Sequence, residues 1–270
     1  MGRLARHKVL VALVVAVLVL AAVVVTTVLA VDEPGPASVE DALERFQSEA
    51  GDDTAPEAVR PPAGVYEYRG EGGAQLSFPP LDQADGATMP GTVTHDAGGC
   101  WRFRLDYNEE HWQEWDYCPD GSGEGFGETG GRNGQQWDLG VSSAGNTSTF
   151  VCDPPNPVLG PTVTRDGVTQ RCTGSGTAVE GSTTSTGPWR LVGPETLTVG
   201  EERVEVLHLR GERTLSGSQA GTEATEAWFR SDGLLVRYER DIEARTDTPV
   251  GAITYTESGW FELLDLRPRR

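Results

Sequence analysis

The chain has 270 residues, enough for one domain of ordinary size with an anchor, or for two small domains. It carries 22 Lys and Arg against 41 Asp and Glu, which gives a formal net charge of −19 at pH 7. A surface of this sign repels phosphate backbones, so a nucleic-acid partner is not expected.

A long apolar run opens the chain. Residues 9–31 contain no charged side chain, whereas residues 1–8 carry basic side chains and no acidic one. A helix over this run would be about 34 Å long, enough to cross a hydrocarbon core of roughly 30 Å. The positive-inside rule then predicts a cytoplasmic tail at 1–8, a transmembrane helix at 9–31 and an extracytoplasmic remainder. The predicted location is therefore the cell membrane, with one crossing. The alternative is a signal peptide cleaved near Ala30, although signal peptides usually have shorter apolar runs.

Residues 32–63 are predicted to form a spacer with one amphipathic helix at 38–48. Ser38 is a typical helix N-cap, and Asp41 stands at the third helical position. Apolar residues then recur at helical spacing, at Val39, Ala42, Leu43 and Phe46. The expected role is packing against a sheet; the alternative is docking of a partner at the membrane surface.

From Gly64 onward the apolar pattern changes to period two. Short alternating runs recur to the end of the chain, separated by Gly, Pro and Asp-Gly turns. This pattern predicts a mainly β domain over residues 64–270. The expected architecture is one large antiparallel meander, either a curved sheet or a half-open barrel, covered by the short helix.

The four cysteines all follow the apolar run, and an even number in an exported domain indicates disulfides. Cys100 and Cys118 end the two arms of an aromatic-rich hairpin, which places them opposite each other. Cys152 and Cys172 then pair by elimination. The spacing contains no CxxC motif, so no metal site is expected.

One register of the first hairpin satisfies several cross-strand preferences at once. With Cys100 opposite Cys118, oppositely charged and aromatic residues face each other in the pairs Arg102–Asp116, Arg104–Glu114, Trp101–Tyr117 and Phe103–Trp115. A second hairpin is predicted around Asp232-Gly233, a strong two-residue turn. This turn would place Phe229 opposite Val236 and Ala227 opposite Tyr238.

The candidate binding residues are the apolar side chains on one face of these two hairpins. They either fill the core of the sheet or line a concave surface for an apolar ligand. These candidates are Trp101, Phe103, Trp115, Tyr117, Phe229, Val236 and Tyr238.

A dense acidic cluster surrounds His111 at the tip of the first hairpin. Its candidate residues are Asp106, Glu109, Glu110 and Glu114. Charges at a hairpin tip are normally solvated, so a polar surface is expected. A cation or partner site and acid–base catalysis are the alternatives. The glycines of 125–130 fit GxGxxG, but no helix is predicted after them, so no dinucleotide cofactor is expected. No catalytic residue is assigned.

The C-terminal part resembles bacterial envelope domains of the lipoprotein-carrier type. The resemblance lies in residues 200–266, in the pair of motifs Glu226-Ala-Trp228 and Gly233-Leu-Leu-Val-Arg237. The whole chain also resembles single-pass membrane-anchored proteins of actinobacteria. The resemblance implies a half-open β-barrel around an apolar cavity, which some members use to carry lipid. The disulfide hairpin and the anchor depart from that pattern.

These observations favour a non-catalytic binding or structural protein of the cell envelope. Its expected partners are the membrane, through the N-terminal helix, and an envelope protein or lipid. The alternatives are a β-cup for lipids or other hydrophobic ligands, which requires a cavity, and a hydrolase, which requires carboxylates with shifted pKa values clustered in a cleft.

Overall fold

The computed structural model describes residues 34–49, 60–139, 142–249 and 251–270. These residues form one α-helix and 13 strands. The helix is α1 (Val39–Glu49). The strands are β1 (Gly64–Ser77), β2 (Pro80–Ala84), β3 (Thr88–His95), β4 (Trp101–Asp106), β5 (His111–Pro119), β6 (Phe126–Asp138), β7 (Ser143–Leu159), β8 (Val168–Gly176), β9 (Thr183–Val199), β10 (Glu202–Gly217), β11 (Ala220–Phe229), β12 (Leu235–Thr248) and β13 (Gly251–Leu263).

The strands form a closed antiparallel barrel. From β3 to β13 each strand pairs with the next along the chain, and β13 returns to pair with β1 from Tyr68↔Leu263 to Leu76↔Tyr255. The result is a 12-strand barrel with one extra strand, β2. The predicted mainly β meander is confirmed. The expected curved sheet or half-open barrel is corrected to a closed ring, because the backbones of β1 and β13 pair with each other and leave no gap between the first and last strands.

The extra strand, β2, extends the barrel wall beside the short β4–β5 hairpin. It pairs with β1 and lies next to the tip of this hairpin, where the Asn108 side chain donates to the Ala84 carbonyl at 2.9 Å. The side chain of Gln83 on β2 donates to the carbonyl of Gln136 on β6 at 2.9 Å and accepts from Gln135 at 2.7 Å. Side-chain contacts between β2 and β6 therefore complete the wall at this height.

The two ends of the barrel differ in packing. We call the end where β6, β8, β10 and β12 finish the mouth, and the opposite end the base. The base half is filled by a large apolar cluster that includes Tyr66, Tyr68, Trp101, Phe103 and Phe261. The Tyr68 hydroxyl donates to the Leu235 carbonyl at 2.7 Å. Burial on this scale provides most of the stability of the fold.

The helix packs against the outer face of β1 and β3, where Val39, Ala42 and Phe46 cover Val65. The Ser38 hydroxyl accepts from the Asp41 amide at 3.2 Å, as expected of an N-cap. The predicted packing helix is confirmed.

The predicted transmembrane helix at 9–31 lies outside the described residues. Within the part of the chain that the structure describes, no helix has the length and apolarity that a membrane crossing requires.

The first hairpin has the predicted register, with Trp101 opposite Tyr117 and Phe103 opposite Trp115. Both predicted disulfides, Cys100–Cys118 and Cys152–Cys172, are present.

The second hairpin needs one correction. Ala227 lies opposite Tyr238 as predicted, but a bulge places Phe229 opposite Leu235 instead of Val236. The Arg230 amide donates to the Leu234 carbonyl, so the loop has three residues and ends in Gly233 with φ +89°. A loop of this type carries a left-handed residue and a bulge, which shifts the register by one.

Candidate ligand-binding cavity

The mouth half of the barrel encloses a cavity of about 520 Å³. Its lining reaches from the aromatic residues above the base to residues at the mouth, where Phe78 is 59% exposed. At the β1–β13 closure Gly72 pairs with Gly259, and a Cβ atom on Gly72 would lie 2.6 Å from the Asp85 carboxylate. Glycine here lets the strands and Asp85 approach closely.

The structure divides the predicted apolar binding residues into two groups. Trp115, Tyr117, Phe229 and Tyr238 line the cavity. Trp101, Phe103 and Val236 are buried in the filled core and are not part of the cavity lining. The aromatic residues therefore both fill the core and line a concave surface, at different heights.

A buried charged cluster stands in the cavity wall around Arg240. Its guanidinium donates to Glu257 through Nε and to Asp85 through Nη2, the latter at 2.8 Å. Arg240 also lies over the Tyr107 ring, with Cζ 3.9 Å from the ring centroid. The Tyr255 hydroxyl donates to the second oxygen of Glu257 at 2.6 Å. This arrangement fixes the position of the guanidinium tightly.

His111 completes this cluster; its ring packs on Tyr107, with the ring centroids 4.6 Å apart, and its nitrogens lie farther from the carboxylates than a hydrogen bond allows. Its Nδ1 is 3.9 Å from Asp85 Oδ1, and its Nε2 is 3.8 Å from Glu257 Oε1. Burial lowers the pKa of His111 to about 4, so the ring is neutral at neutral pH. Burial raises the pKa of Asp85 to about 6, although the Arg240 charge opposes that rise.

Three buried polar atoms of this cluster have no hydrogen-bond partner among the described residues. They are Arg240 Nη1, Asp85 Oδ1 and His111 Nδ1. Unpaired buried polar atoms are costly and are rare in native proteins. Arg240 and His111 both line the cavity, so a group bound there lies against the side chains that carry two of these atoms. The Asp85 side chain is fully buried and is not part of the lining. We call these three residues the Arg240 recess.

A second guanidinium, that of Arg213, lies in the same cavity. It donates to Gln170 at 2.9 Å, and stands 3.6 Å from Glu128 and 4.0 Å from Glu223. Burial raises the pKa of Glu128, against the opposing effect of Arg213. Both carboxylates are farther from Arg213 than a hydrogen bond allows, so the guanidinium and the carboxylates can still form hydrogen bonds with a ligand.

The walls nearer the mouth differ in polarity. On β12 and β13, Ile242, Ala244 and Ile253 line the cavity. On β6 and β7, which face them across the barrel, Asn133, Gln135 and Asn146 line it. The cavity is therefore amphipathic, with an aliphatic wall opposite an amide-bearing wall.

The predicted acidic surface is only partly exposed. Glu109 is exposed and Glu110 is half-buried, but Asp106 and Glu114 are buried. Their expected solvation is corrected, because arginines surround them on the outer face of the barrel. The Glu114 carboxylate accepts from Arg104 at 3.0 Å and from Arg132 at 2.8 Å, and Asp106 pairs with Arg45 of the helix.

One group of potential metal ligands occurs among the described residues. Ligand atoms of Glu128, Cys152 and Cys172 lie within 4.8 Å of one another. The two sulfur atoms are joined in a disulfide, so neither is a thiolate able to bind a metal.

The charged residues inside the cavity were not among the predicted site residues. A period-two signal could have identified them. Arg240 has the same parity as Tyr238, Ile242 and Ala244 on β12, and Glu257 has the same parity as Phe261 on β13. A charged residue in phase with an apolar face points inward.

No protein-family model, curated protein or solved structure matches this chain.

Proposed function

We propose that this chain is a binding protein that holds a small amphipathic molecule in the mouth half of its barrel. The observation that carries the proposal is the cavity of about 520 Å³ above a filled core. Pockets for small molecules measure roughly 300–1,000 Å³. Protein interiors seldom leave voids larger than a water molecule, so a cavity of this size indicates a use other than packing.

We further propose that the barrel stands outside the cytoplasm, tethered to the cell membrane by residues 9–31. The two disulfides are typical of proteins in oxidising compartments. The resemblance of residues 200–266 to lipoprotein-carrier domains favours the same kind of role. The ligand would then be a component of the cell envelope.

Native mass spectrometry tests the binding role directly. Segment 34–270 contains every strand, helix and disulfide that the structure describes, and we expect it to fold and to be purified with its disulfides and without detergent. After incubation with a bacterial envelope extract, we expect extra mass that organic solvent removes. The Ala244→Trp variant fills the cavity and should lose this mass.

Glu243→Trp is the matched control, because Glu243 lies next to Ala244 on β12 but is exposed on the outer face. Capture by the control and not by Ala244→Trp supports the proposal. A bare polypeptide mass for the folded wild-type protein would contradict it, as would equal capture by both variants.

A hydrolase is the second candidate, and one observation favours it. Glu128 has a raised pKa in the cavity, and Glu223 stands 4.0 Å from the same Arg213 guanidinium. A carboxyl group whose pKa is raised by burial is better suited to act as a general acid, and a second carboxylate beside it could serve as the base or nucleophile. Release of nitrophenol from nitrophenyl glycosides by the wild-type protein but not by Glu128→Gln would favour this candidate over simple binding.

A further inference from the structure

The Arg240 recess restricts the chemistry of any group that enters it. Arg240 Nη1 can only donate a hydrogen bond, whereas Asp85 Oδ1 accepts one when ionised. The neutral ring of His111 offers one N–H and one lone pair. A group that satisfies this set must therefore both donate and accept.

Charged head groups fit the recess poorly. A carboxylate can accept from Arg240 but cannot donate, and it would approach Asp85 and Glu257, which already surround that guanidinium. An ammonium group can donate to Asp85 but cannot accept, and it would face the Arg240 charge. A hydroxyl group donates and accepts in the same position without adding charge.

The other polar residues of the cavity lining also favour a ligand group that both donates and accepts hydrogen bonds. The amide groups of Asn133, Gln135 and Asn146 carry donors and acceptors on the β6–β7 wall, and one atom of each is already hydrogen-bonded to a neighbouring residue. Arg213 adds a donor, and Glu223 adds an acceptor that lies 4.0 Å from it. Several hydroxyl groups on one ligand can be satisfied together around such a lining.

The aliphatic wall accommodates an apolar part of the same ligand. Leu76, Ile242 and Ile253 line the cavity. Ile242 and Ile253 lie on the mouth side of Arg240, because β12 ends and β13 begins at the mouth. Apolar groups there avoid contact with the recess and reach towards solvent near the exposed Phe78.

We propose that the ligand is an amphiphile with a neutral polyhydroxylated head, such as a sugar or glycerol, seated head-first with a hydroxyl group in the Arg240 recess. This inference rests on the proposed binding function and specifies the class of its ligand. The apolar part of the ligand lies along the β12–β13 wall and points to the mouth.

The test uses amphiphiles that share one eight-carbon chain and differ in the head. The probes are octyl β-D-glucoside, monooctanoylglycerol, octanoate and octylammonium, each titrated calorimetrically below its micelle concentration into segment 34–270. We expect the two hydroxylated probes to bind at least about tenfold more tightly than the two charged ones, because sites built for a hydroxyl reject analogues that lack it. The difference between the glucoside and the glycerol ester separates a sugar from a glycerol head.

Two variants locate the head group. His111→Phe removes both ring nitrogens, and Asp85→Asn replaces an acceptor oxygen with a donor. Each should weaken binding of the preferred hydroxylated probe by about tenfold or more, since each removes or opposes a hydrogen bond to a hydroxyl. Trp112→Phe is the control, because Trp112 follows His111 on β5 but packs under Arg104 on the outer face and is not part of the cavity lining. Circular dichroism identifies the variants that fold.

The outcomes separate this inference from the proposed function. Tighter binding of octanoate or octylammonium overturns the inference and leaves a binding barrel. Unchanged affinity in folded His111→Phe and Asp85→Asn also overturns it, since the head would then lie elsewhere. If none of the probes binds, the inference fails; if native mass spectrometry also finds no captured molecule, the proposed binding function fails with it.

Discussion

Individual charged side chains are buried on both faces of this barrel wall. Arg240, Asp85 and Glu257 are paired inside, and Glu114 is surrounded by arginines outside. Burial of a charge is tolerated only when partners replace the lost water. Glu114 and the described arginines around it leave no buried polar atom without a partner, whereas the inner cluster leaves donor and acceptor atoms unpaired. This difference between the two faces is why the cavity, and not the acidic hairpin tip, is the stronger candidate site.

The inner cluster predicts a specific dependence of stability on pH. The folded-state pKa of Asp85 is about 6 against an ordinary value of 3.8. The folded protein therefore binds a proton between pH 6 and 4 that the unfolded chain does not, which stabilises it as the pH falls. The folded-state pKa of His111, about 4 against 6.5, has the opposite effect over nearly the same range, and the two offset each other.

Removal of the Asp85 carboxyl should expose the His111 effect. We expect Asp85→Asn to lose about 2 kcal/mol more unfolding free energy than the wild type between pH 7 and pH 4.5. Urea denaturation at the two pH values measures this. Asp82→Asn, an exposed residue on β2, is the control and should follow the wild type. Parallel pH profiles for Asp85→Asn and the wild type would contradict the prediction.

At the scale of the elements, strands β1 and β13 are built for close contact. Gly72 and Gly259 face each other where the ring closes. A Cβ atom on Gly259 would lie 2.7 Å from the Glu71 carbonyl oxygen and 2.8 Å from the Gly72 Cα atom, both in the backbone of β1. Neither contact can be relieved by a side-chain rotation, so these glycines are part of the closure.

Gly259→Ala should therefore destabilise the barrel. We expect a loss of about 1–3 kcal/mol in unfolding free energy, the usual cost of overpacking. Gly145→Ala on β7 is the matched control, because the nearest atom to its Cβ is 3.9 Å away, and it should change stability by less than about 0.5 kcal/mol. Thermal and urea denaturation measure both variants. A Gly259→Ala variant as stable as Gly145→Ala would show that the β1–β13 seam has room to adjust.

At the scale of the whole molecule, the two disulfides join neighbouring strands on one side of the ring. Cys100–Cys118 ties the base of the β4–β5 hairpin, and Cys152–Cys172 ties β7 to β8. Their sequence separations are similar, 18 and 20 residues. Only the second lies at the cavity, which Cys172 lines. The two cross-links therefore close loops of similar length, but only the second borders the candidate site.

Removing either disulfide should cost a similar amount of stability. In the chain-entropy model the Cys100→Ala/Cys118→Ala and Cys152→Ala/Cys172→Ala double variants each lose about 3 kcal/mol. Only the second should change amphiphile affinity, because it alters the cavity wall. Denaturation and calorimetric titration check the two parts separately. Equal affinities in the two folded variants would indicate that the ligand does not contact the wall at β8.

The sequence by itself determined the local structure of this protein. Period-two alternation defined the β domain, helical spacing defined α1, and the charge and aromatic pairs set the Cys100–Cys118 hairpin register, because each of these depends on neighbours close along the chain. The same reasoning missed the bulge at Phe229, since the two-residue and three-residue loops around Asp232-Gly233 have the same turn residues.

Only the tertiary structure decided the ring closure and the cavity. Pairing of β1 with β13 joins residues far apart in sequence, such as Arg69 and Glu262, so local pattern does not specify it. The Arg240 recess combines residues from β12, β5 and the segment after β2, and no short motif contains them. The inward direction of these side chains, their burial and their unpaired atoms exist only once the strands have closed on each other. For this reason Asp85 and Arg240 look like ordinary surface charges in the sequence.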